Sequence, residues 1–167
     1  MNGKSRVAIR RAVPGDLPTI CEVHNASIRE LCTPSYTEEQ IREWTGALKP
    51  QGYLRAMEVY DFIVAVEGGV VGLCIFNASK AEITALYVSP ENAGMGIGRT
   101  LVQEVEAMAR EAGVRELNLK STLNAVGFYE RMRFIRIESS RYVLPGGTEL
   151  PCIVMAKRLG REHALPE

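Results

Sequence analysis

The segment Val88-Ser89-Pro90-Glu91-Asn92-Ala93-Gly94-Met95-Gly96-Ile97-Gly98 sets three alternating glycines between a strand pattern and a helix pattern. Ile83, Leu86, Tyr87 and Val88 close an apolar strand, and Ile97, Leu101, Val105, Met108 and Ala112 recur at helical spacing. Glycine lets main chain approach a ligand closely and accepts positive φ. Free N–H groups at a helix start, together with the helix dipole, bind phosphate. Strand, glycine loop and helix in this order predict a site for a phosphate-bearing cofactor. The structural alternative is a tight turn that packs a helix on a sheet. The Gly-x-Gly-x-Gly spacing differs from the Gly-x-Gly-x-x-Gly of dinucleotide-binding folds. Nor do Arg99 and Thr100 complete a P-loop, which needs Gly-Lys followed by Ser or Thr.

A second block lies downstream: Asn124-Ala125-Val126-Gly127-Phe128-Tyr129-Glu130-Arg131-Met132-Arg133-Phe134. Together the two blocks resemble the GNAT superfamily, the GCN5-related N-acetyltransferases. The first is similar to that family's acetyl-CoA pyrophosphate loop, Arg/Gln-x-x-Gly-x-Gly. The second is similar to the Asn-Ala-x-x-Phe-Tyr helix beside the cofactor thiol. The resemblance runs from about Val7 to Leu159 and is specific between about Glu82 and Phe134. Ala93 stands where Arg or Gln is usual, and Arg133 where Gly usually closes the second helix. The first departure removes a polar side chain from the loop but leaves its N–H groups. The second removes the easy left-handed cap that glycine provides.

The resemblance implies a direct acetyl transfer from acetyl-CoA to a primary amine of a small molecule or peptide, with no metal. Main-chain N–H groups of Gly94, Met95, Gly96, Ile97, Gly98 and Arg99 would hold the pyrophosphate. Leu86, Tyr87 and Val88 would offer strand backbone to the pantetheine arm, which is β-augmentation by a small molecule. An N–H near Val88 would face the developing oxyanion. Glu82 becomes the candidate general base, acting through a water, because alkyl amines are charged at neutral pH. Its alternative is a solvated charge at a strand start. Tyr129 becomes the candidate general acid for the leaving thiolate, or an aromatic packed on the sheet. Asn124 would contact pantetheine or cap the helix that starts there, and capping is the stronger reading of the residues alone. Cys32, Tyr36 and Trp44 are candidates for the acceptor pocket. Trp44 shares a helical face with Ile41 and Leu48, which favours core packing. No His or Asp motif supports an acyl-cysteine at Cys32.

The elements that must position these residues follow from periodicity and punctuation. Val7 to Val13 reads as a strand, and Pro14-Gly15-Asp16 opens a helix with Asp16 as N-cap. Leu17, Ile20, His24, Ile28 and Leu31 share one face of it. Thr37-Glu38-Glu39-Gln40 has capping-box form and starts a second helix. Lys49-Pro50-Gln51-Gly52 reads as a loop. Tyr60 to Val66 and Val70 to Phe76 form a hairpin around Glu67-Gly68-Gly69, followed by a strand from Ala81 to Val88. After the glycine helix come a strand at Val114 to Lys120, the Asn124 helix to Met132, and strands at Phe134 to Val143 and Glu149 to Lys157. The order βααβββαβαββ predicts a single α/β domain with a central mixed, mostly antiparallel sheet flanked by helices. Its core would span about 7–159, with a mobile tail at 160–167.

Bulk properties restrict the partners. The 167 residues suit one domain with a substantial core. Lys+Arg and Asp+Glu are both 20, so no global field favours nucleic acid or an anionic membrane. No run approaches a membrane span, and Met1 to Arg11 lacks a signal-peptide core. Cys21, Cys32, Cys74 and Cys152 have no Cys-x-x-Cys spacing, and His24 and His163 complete no metal pattern. The expectation is a reduced, cytoplasmic, metal-free protein. The apolar last strand, Cys152 to Met155, leaves pairing with a second subunit open. Two other classes compete with the enzyme: a non-catalytic acyl-CoA-binding or sensor module, and a Rossmann-type nucleotide fold. Glu82 and Tyr129 argue against the first. The glycine spacing and the hairpins argue against the second.

Overall fold

Seven strands form one mixed sheet in the order β1-β2-β3-β4-β5-β7-β6. The computed structural model describes residues 7–160. The strands are β1 (Ala8–Arg11), β2 (Asp61–Val66), β3 (Val70–Asn77), β4 (Glu82–Val88), β5 (Glu116–Thr122), β6 (Ile135–Val143) and β7 (Glu149–Arg158). The helices are α1 (Leu17–Leu31), α2 (Glu38–Ala47), α3 (Pro50–Val59), α4 (Ile97–Glu111) and α5 (Val126–Arg131). All pairings are antiparallel except β4 with β5. This is the predicted mixed, mostly antiparallel sheet flanked by helices. Most of the tail expected at 160–167, and His163 with it, lies outside the described residues.

The helices cover both faces of the sheet. On one face α4 buries Ile97, Leu101, Val102, Val105 and Ala109 against Ile63, Cys74, Phe76, Ile83, Leu117 and Leu119. Each such side chain contributes about 1.5–3 kcal/mol when fully buried. On the other face Ile20 and Val23 of α1 and Tyr53 of α3 pack on Phe62, Val64, Leu73 and Ile75. A third cluster, Ile28, Cys32, Tyr36, Trp44, Leu144 and Leu150, joins α1 and α2 to the β6–β7 hairpin.

Local chemistry explains most boundaries. The capping box at α2 forms as read: the Gln40 N–H donates to Thr37 Oγ1 at 3.1 Å, and the Thr37 N–H donates to Gln40 Oε1 at 2.9 Å. Asp16 occupies the N-cap position of α1 without bonding into it. Its carboxylate instead accepts from the Val13 N–H at 2.9 Å and from the Arg10 guanidinium. One element differs from expectation. The segment after Lys49 is a ten-residue helix, α3, where the sequence reads as a loop. Pro50 is its first residue, where a missing N–H costs nothing and φ is already helical. Tyr53, Ala56 and Met57 then face the core at helical spacing.

The parallel junction positions everything that follows. β4 and β5 pair only at Glu82↔Asn118 and Ile83↔Leu119. β5 continues against β7 as far as Thr122↔Cys152, and β4 continues against β3 as far as Val88↔Gly72. The register of β3 with β4 shifts between Ile75 and Phe76, which leaves Thr84 as the extra residue of β4. A bulge bends its strand and sharpens the local twist. Past Ile83 the two strands therefore part, and the edge of β4 from Thr84 to Val88 has no strand partner on that side.

Candidate active site

Two cavities open where the strands part. The first, the loop cavity, holds about 560 Å³. Leu86 to Val88 form one wall and Asn92, Ala93, Gly94 and the start of α4 form another. Asn124, Phe128 and Tyr129 close it from the α5 side. The second, the aromatic cavity, holds about 460 Å³. It is lined by His24, Tyr36, Trp44, Tyr60, Tyr142 and, on the strands, Glu82, Thr84, Ala85 and Lys120. Tyr87 and Thr122 line both. They stand on the two parted strands, so the cavities communicate through the gap between β4 and β5.

The loop cavity is built for an anion. Gly96, at φ 83°, is the N-cap of α4 and sits in the left-handed region that L side chains adopt only at a cost of about 1–2 kcal/mol. The first bond of the helix runs from the Thr100 N–H to the Gly96 carbonyl at 3.0 Å. The N–H groups of Ile97, Gly98 and Arg99 are then too early to find acceptors inside the helix. Gly98 serves a different purpose: a Cβ there would stand 3.3 Å from Phe128 Cζ, so α4 and α5 meet at that point without a side chain between them. These donors, the positive helix end and the unpaired strand edge of β4 suit a pyrophosphate followed by an amide-bearing arm.

Tyr129 lies at the base of this cavity, 6% exposed, edge-on to Phe128 and Phe134 with ring centroids at 5.0 and 5.6 Å. Burial raises its phenol above the ordinary range, so it stays protonated. Cys32, the C-cap of α1, opens on the same cavity beside the Asn124 side chain. Desolvation pushes its thiol up to about 11, with the Asn124 hydrogen bond opposing. A thiol held neutral is a poor nucleophile.

In the aromatic cavity Tyr36 is bolted in place. Its hydroxyl donates to the Pro151 carbonyl at 2.7 Å and accepts from the Leu123 N–H at 3.1 Å. Trp44 meets it edge-on at 5.4 Å. His24 is buried at 7% exposure, with its ring against Tyr87 at 3.8 Å and Nδ1 bonded to the Tyr53 hydroxyl at 2.7 Å. Its Nε2 has no hydrogen-bond partner among the described residues. Desolvation lowers its pKa to about 3, so this imidazole is neutral at physiological pH.

Comparison with known proteins bears directly on this geometry. A sequence model of the acetyltransferase (GNAT) domain matches residues 32–147. The chain belongs to the GNAT acetyltransferase family. A spermidine N(1)-acetyltransferase of Thermoplasma acidophilum is 30% identical over 134 residues, covering 73% of this chain and 83% of that one. An uncharacterised N-acetyltransferase of Chlorobaculum tepidum is 40% identical over 88 residues. That match spans about half of this chain, 50%, and 56% of the relative. Among solved structures, a GCN5-related N-acetyltransferase from Rhodopseudomonas palustris superposes with a TM-score of 0.87 at 25% identity, covering 93% of this chain and 97% of that one. The PaiA N-acetyltransferase of T. acidophilum, solved with coenzyme A, shares the fold at a TM-score of 0.72 and 23% identity, covering 92% and 99%.

Within this GNAT domain the residues singled out in the sequence fall unevenly. Leu86, Tyr87, Val88, Gly94, Gly96, Ile97, Gly98, Arg99, Asn124 and Tyr129 all line the loop cavity. Met95 does not; its side chain is 69% exposed. Asn124 caps no helix. It sits inside a 3-10 turn, Leu123–Ala125, ahead of α5, and the capping reading gives way to a cavity contact. Cys32 lines the loop cavity and not the aromatic one, because the end of α1 turns it toward Asn124. Tyr36 and Trp44 line the aromatic cavity while also belonging to a core cluster. Glu82 opens on that cavity from the first of the two paired positions of β4 with β5.

Several wall residues had no signal in the sequence. Thr122, Lys120 and Tyr142 reach the site only because β5 and β6 pair with β7. His24 reads as one more position of an amphipathic face. Tyr53, which bonds His24 from the core behind the wall, was hidden with the helix that carries it. Among the described residues no group of His, Cys, Asp and Glu could hold a metal, and no helix is long and apolar enough to cross a membrane.

Proposed function

We propose that this GNAT domain transfers an acetyl group from acetyl-CoA directly to a primary amine. The loop cavity would receive the donor and the aromatic cavity the acceptor. The observation that carries this reading is the gap between β4 and β5, where two adjoining cavities share Tyr87 and Thr122. A thioester carbon placed at that gap is open to an amine from the other side. The relatives named as N-acetyltransferases, and the coenzyme A in the PaiA complex, support the same donor.

Acetyl-CoA supplies a thioester, an activated acyl group with a thiolate leaving group. The residues of this chain then have separate tasks. N–H groups at the start of α4 hold the pyrophosphate, and Arg99 adds a cation beside them. The free edge of β4 aligns the arm and presents main-chain N–H to the carbonyl oxygen as charge develops there. The bound ammonium first gives up one proton, which Glu82 takes along a chain of waters, because six residues of strand, Glu82 to Val88, span up to about 20 Å at full extension. The neutral amine nitrogen then bonds to the acetyl carbon, the carbon–sulfur bond breaks, and the second proton leaves the nitrogen for the thiolate sulfur. Tyr129 stays protonated and donates a hydrogen bond to the departing sulfur. A thiol has a pKa of about 8.5, well below this buried phenol, so a hydrogen bond is favoured over full proton release. The neutral Cys32 thiol favours direct transfer over an acyl-cysteine.

An amine panel with acetyl-CoA, scored by free thiol and by product mass, tests the proposal. Acetylated product on any amine supports it. Thermal stabilisation by coenzyme A with no product on any amine would make the domain a non-catalytic acyl-CoA-binding module.

A further inference from the structure

Two charged side chains line the aromatic cavity, Glu82 and Lys120. Neither belongs to an ion pair among the described residues. Nothing else in the wall offsets either charge: His24 is neutral, and burial keeps Tyr36 and Tyr87 protonated. The lining therefore presents one carboxylate and one ammonium at separate points. Register fixes their order. Glu82 stands opposite Asn118, and Lys120 and Thr122 follow on the same face of β5. Alternate residues of a strand are about 6.6 Å apart. Lys120 is thus one step from the Thr122 junction, on the acceptor side, and its ammonium lies near Cys152, whose thiol burial raises while Lys120 opposes that rise. The remaining walls, Trp44, Tyr60, Tyr142 and Leu144, are aromatic or apolar.

We propose that the acceptor is a primary amine that also carries a carboxylate on an apolar body, with Lys120 binding the carboxylate while the amine sits at the Tyr87–Thr122 junction. This rests on the reading of the aromatic cavity as the acceptor site. Lys120 is a specificity-determining residue in that arrangement. With the amine at that junction, the carboxylate lies within a strand step of the one ammonium among the lining residues, Lys120. A polyamine presents several ammonium groups to a wall that offers one carboxylate and opposes them with Lys120. The related spermidine acetyltransferase therefore does not set the expectation for this chain.

The test is kcat/KM with acetyl-CoA for matched amines, phenylalanine against phenethylamine and tyrosine against tyramine, with spermidine as the polycationic arm. The wild-type protein is expected to prefer the carboxylate-bearing member of each pair by about 2–5-fold, the range that one solvent-exposed charge contact supplies. Lys120→Met keeps the aliphatic stem and should erase that preference. Lys120→Glu should turn it toward phenethylamine, tyramine and spermidine. Unchanged affinity for coenzyme A in both variants establishes that they are folded. Equal or better wild-type use of the carboxylate-free amines would overturn the proposal. So would an equal loss on both members of a pair in Lys120→Met, which would make Lys120 a general electrostatic contributor. Thermal shifts separate the two levels of inference. Stabilisation of the coenzyme A complex by phenylalanine or tyrosine, lost in Lys120→Met, without product on any amine, would retain the ligand class and reject acetyl transfer. Neither stabilisation nor product would reject the ligand class.

Discussion

The two cavities meet at Tyr87 and Thr122 but are made of different material. On the proposed reading the loop cavity would hold its ligand through main chain, by N–H groups at the start of α4 and the free edge of β4. The aromatic cavity would hold its own through side chains drawn from α1, α2, four strands and a hairpin. Main-chain recognition needs particular backbone conformations, and those demand particular residues at adjacent positions. Side-chain recognition needs only that distant segments converge. The first kind of site leaves a contiguous signature in a sequence, and the second does not.

The contrast breaks most severely at Gly96. Glu at this position must adopt φ near 83° and sets a negative charge where phosphate is expected. Gly96→Glu should weaken coenzyme A binding by about 100-fold or more in isothermal titration, a loss of roughly 3 kcal/mol. Met95→Ala, one residue away, should change it by less than about twofold, because that side chain projects into solvent. Equal effects at both positions would mean the loop holds its ligand by side chains, and the comparison between the cavities would fail.

Glu82→Gln probes the other side. Removing a general base typically costs about 10²–10⁴ in rate. Turnover should therefore fall about 100-fold or more while coenzyme A affinity stays within about twofold. Undiminished turnover would return Glu82 to a charge at a strand start. Tyr129→Phe tests whether a loop-cavity side chain matters at all. Losing a hydrogen bond to a charged group costs about 1.5–3 kcal/mol, so kcat should drop about 10–100-fold with little change in KM for acetyl-CoA. If kcat is preserved, Tyr129 is packing alone and the loop cavity is main chain throughout.

This division also explains what could be read in advance. The sheet and most of its boundaries were legible because alternation and turn residues are local. The Gly94–Gly98 loop and the Asn124–Phe134 block stood out because left-handed glycines and a close α4–α5 contact each dictate residues in a row. α3 was missed because Pro50 and Gly52 are turn residues in most settings, and only tertiary packing of Tyr53 makes this segment a helix. The capping reading of Asn124 fails because a 3-10 turn precedes α5 and moves the helix start two residues on. Lys120 and Thr122 could not be recognised as site residues from β5 alone. Their meaning depends on where β4 departs, and that is set by a bulge at Thr84 that nothing in the local composition announces.

The aromatic cavity should also carry an acid sensitivity that the loop cavity lacks. His24 has its pKa lowered to about 3 by burial, against an ordinary value of about 6.5. The unfolded chain binds the extra proton, so stability from this group is complete above about pH 7 and falls as pH drops toward 3. Between pH 7 and pH 5 the loss is about 2 kcal/mol. His24→Gln should remove that portion of the slope in urea unfolding, whatever its offset at pH 7. Identical slopes for the two proteins would mean the histidine is solvated or paired in the folded state.

The smallest effect concerns the helices that carry the loop cavity. α4 and α5 end in the same way. The Gly113 N–H donates to the Arg110 carbonyl at 3.0 Å and the Val114 N–H to Ala109 at 2.9 Å. The Arg133 N–H donates to Glu130 at 2.9 Å and the Phe134 N–H to Tyr129 at 3.0 Å. Both are Schellman ends, which require a left-handed residue at the turn. Gly113 adopts φ 77° and Arg133 adopts φ 69°. The fold thus keeps the left-handed turn after α5 with a residue that resists it by about 1–2 kcal/mol. Glycine would remove that strain but loses more conformational entropy on folding, by about 0.5–1 kcal/mol. The difference leaves Arg133→Gly more stable by up to about 1 kcal/mol, or about 2–4 °C in Tm for a domain of this size. Gly113→Ala should shift Tm by a similar amount in the opposite direction. A lower Tm for Arg133→Gly would show that the arginine side chain contributes more to this helix end than its backbone strain removes, and the α5 floor of the loop cavity would then depend on a side chain after all.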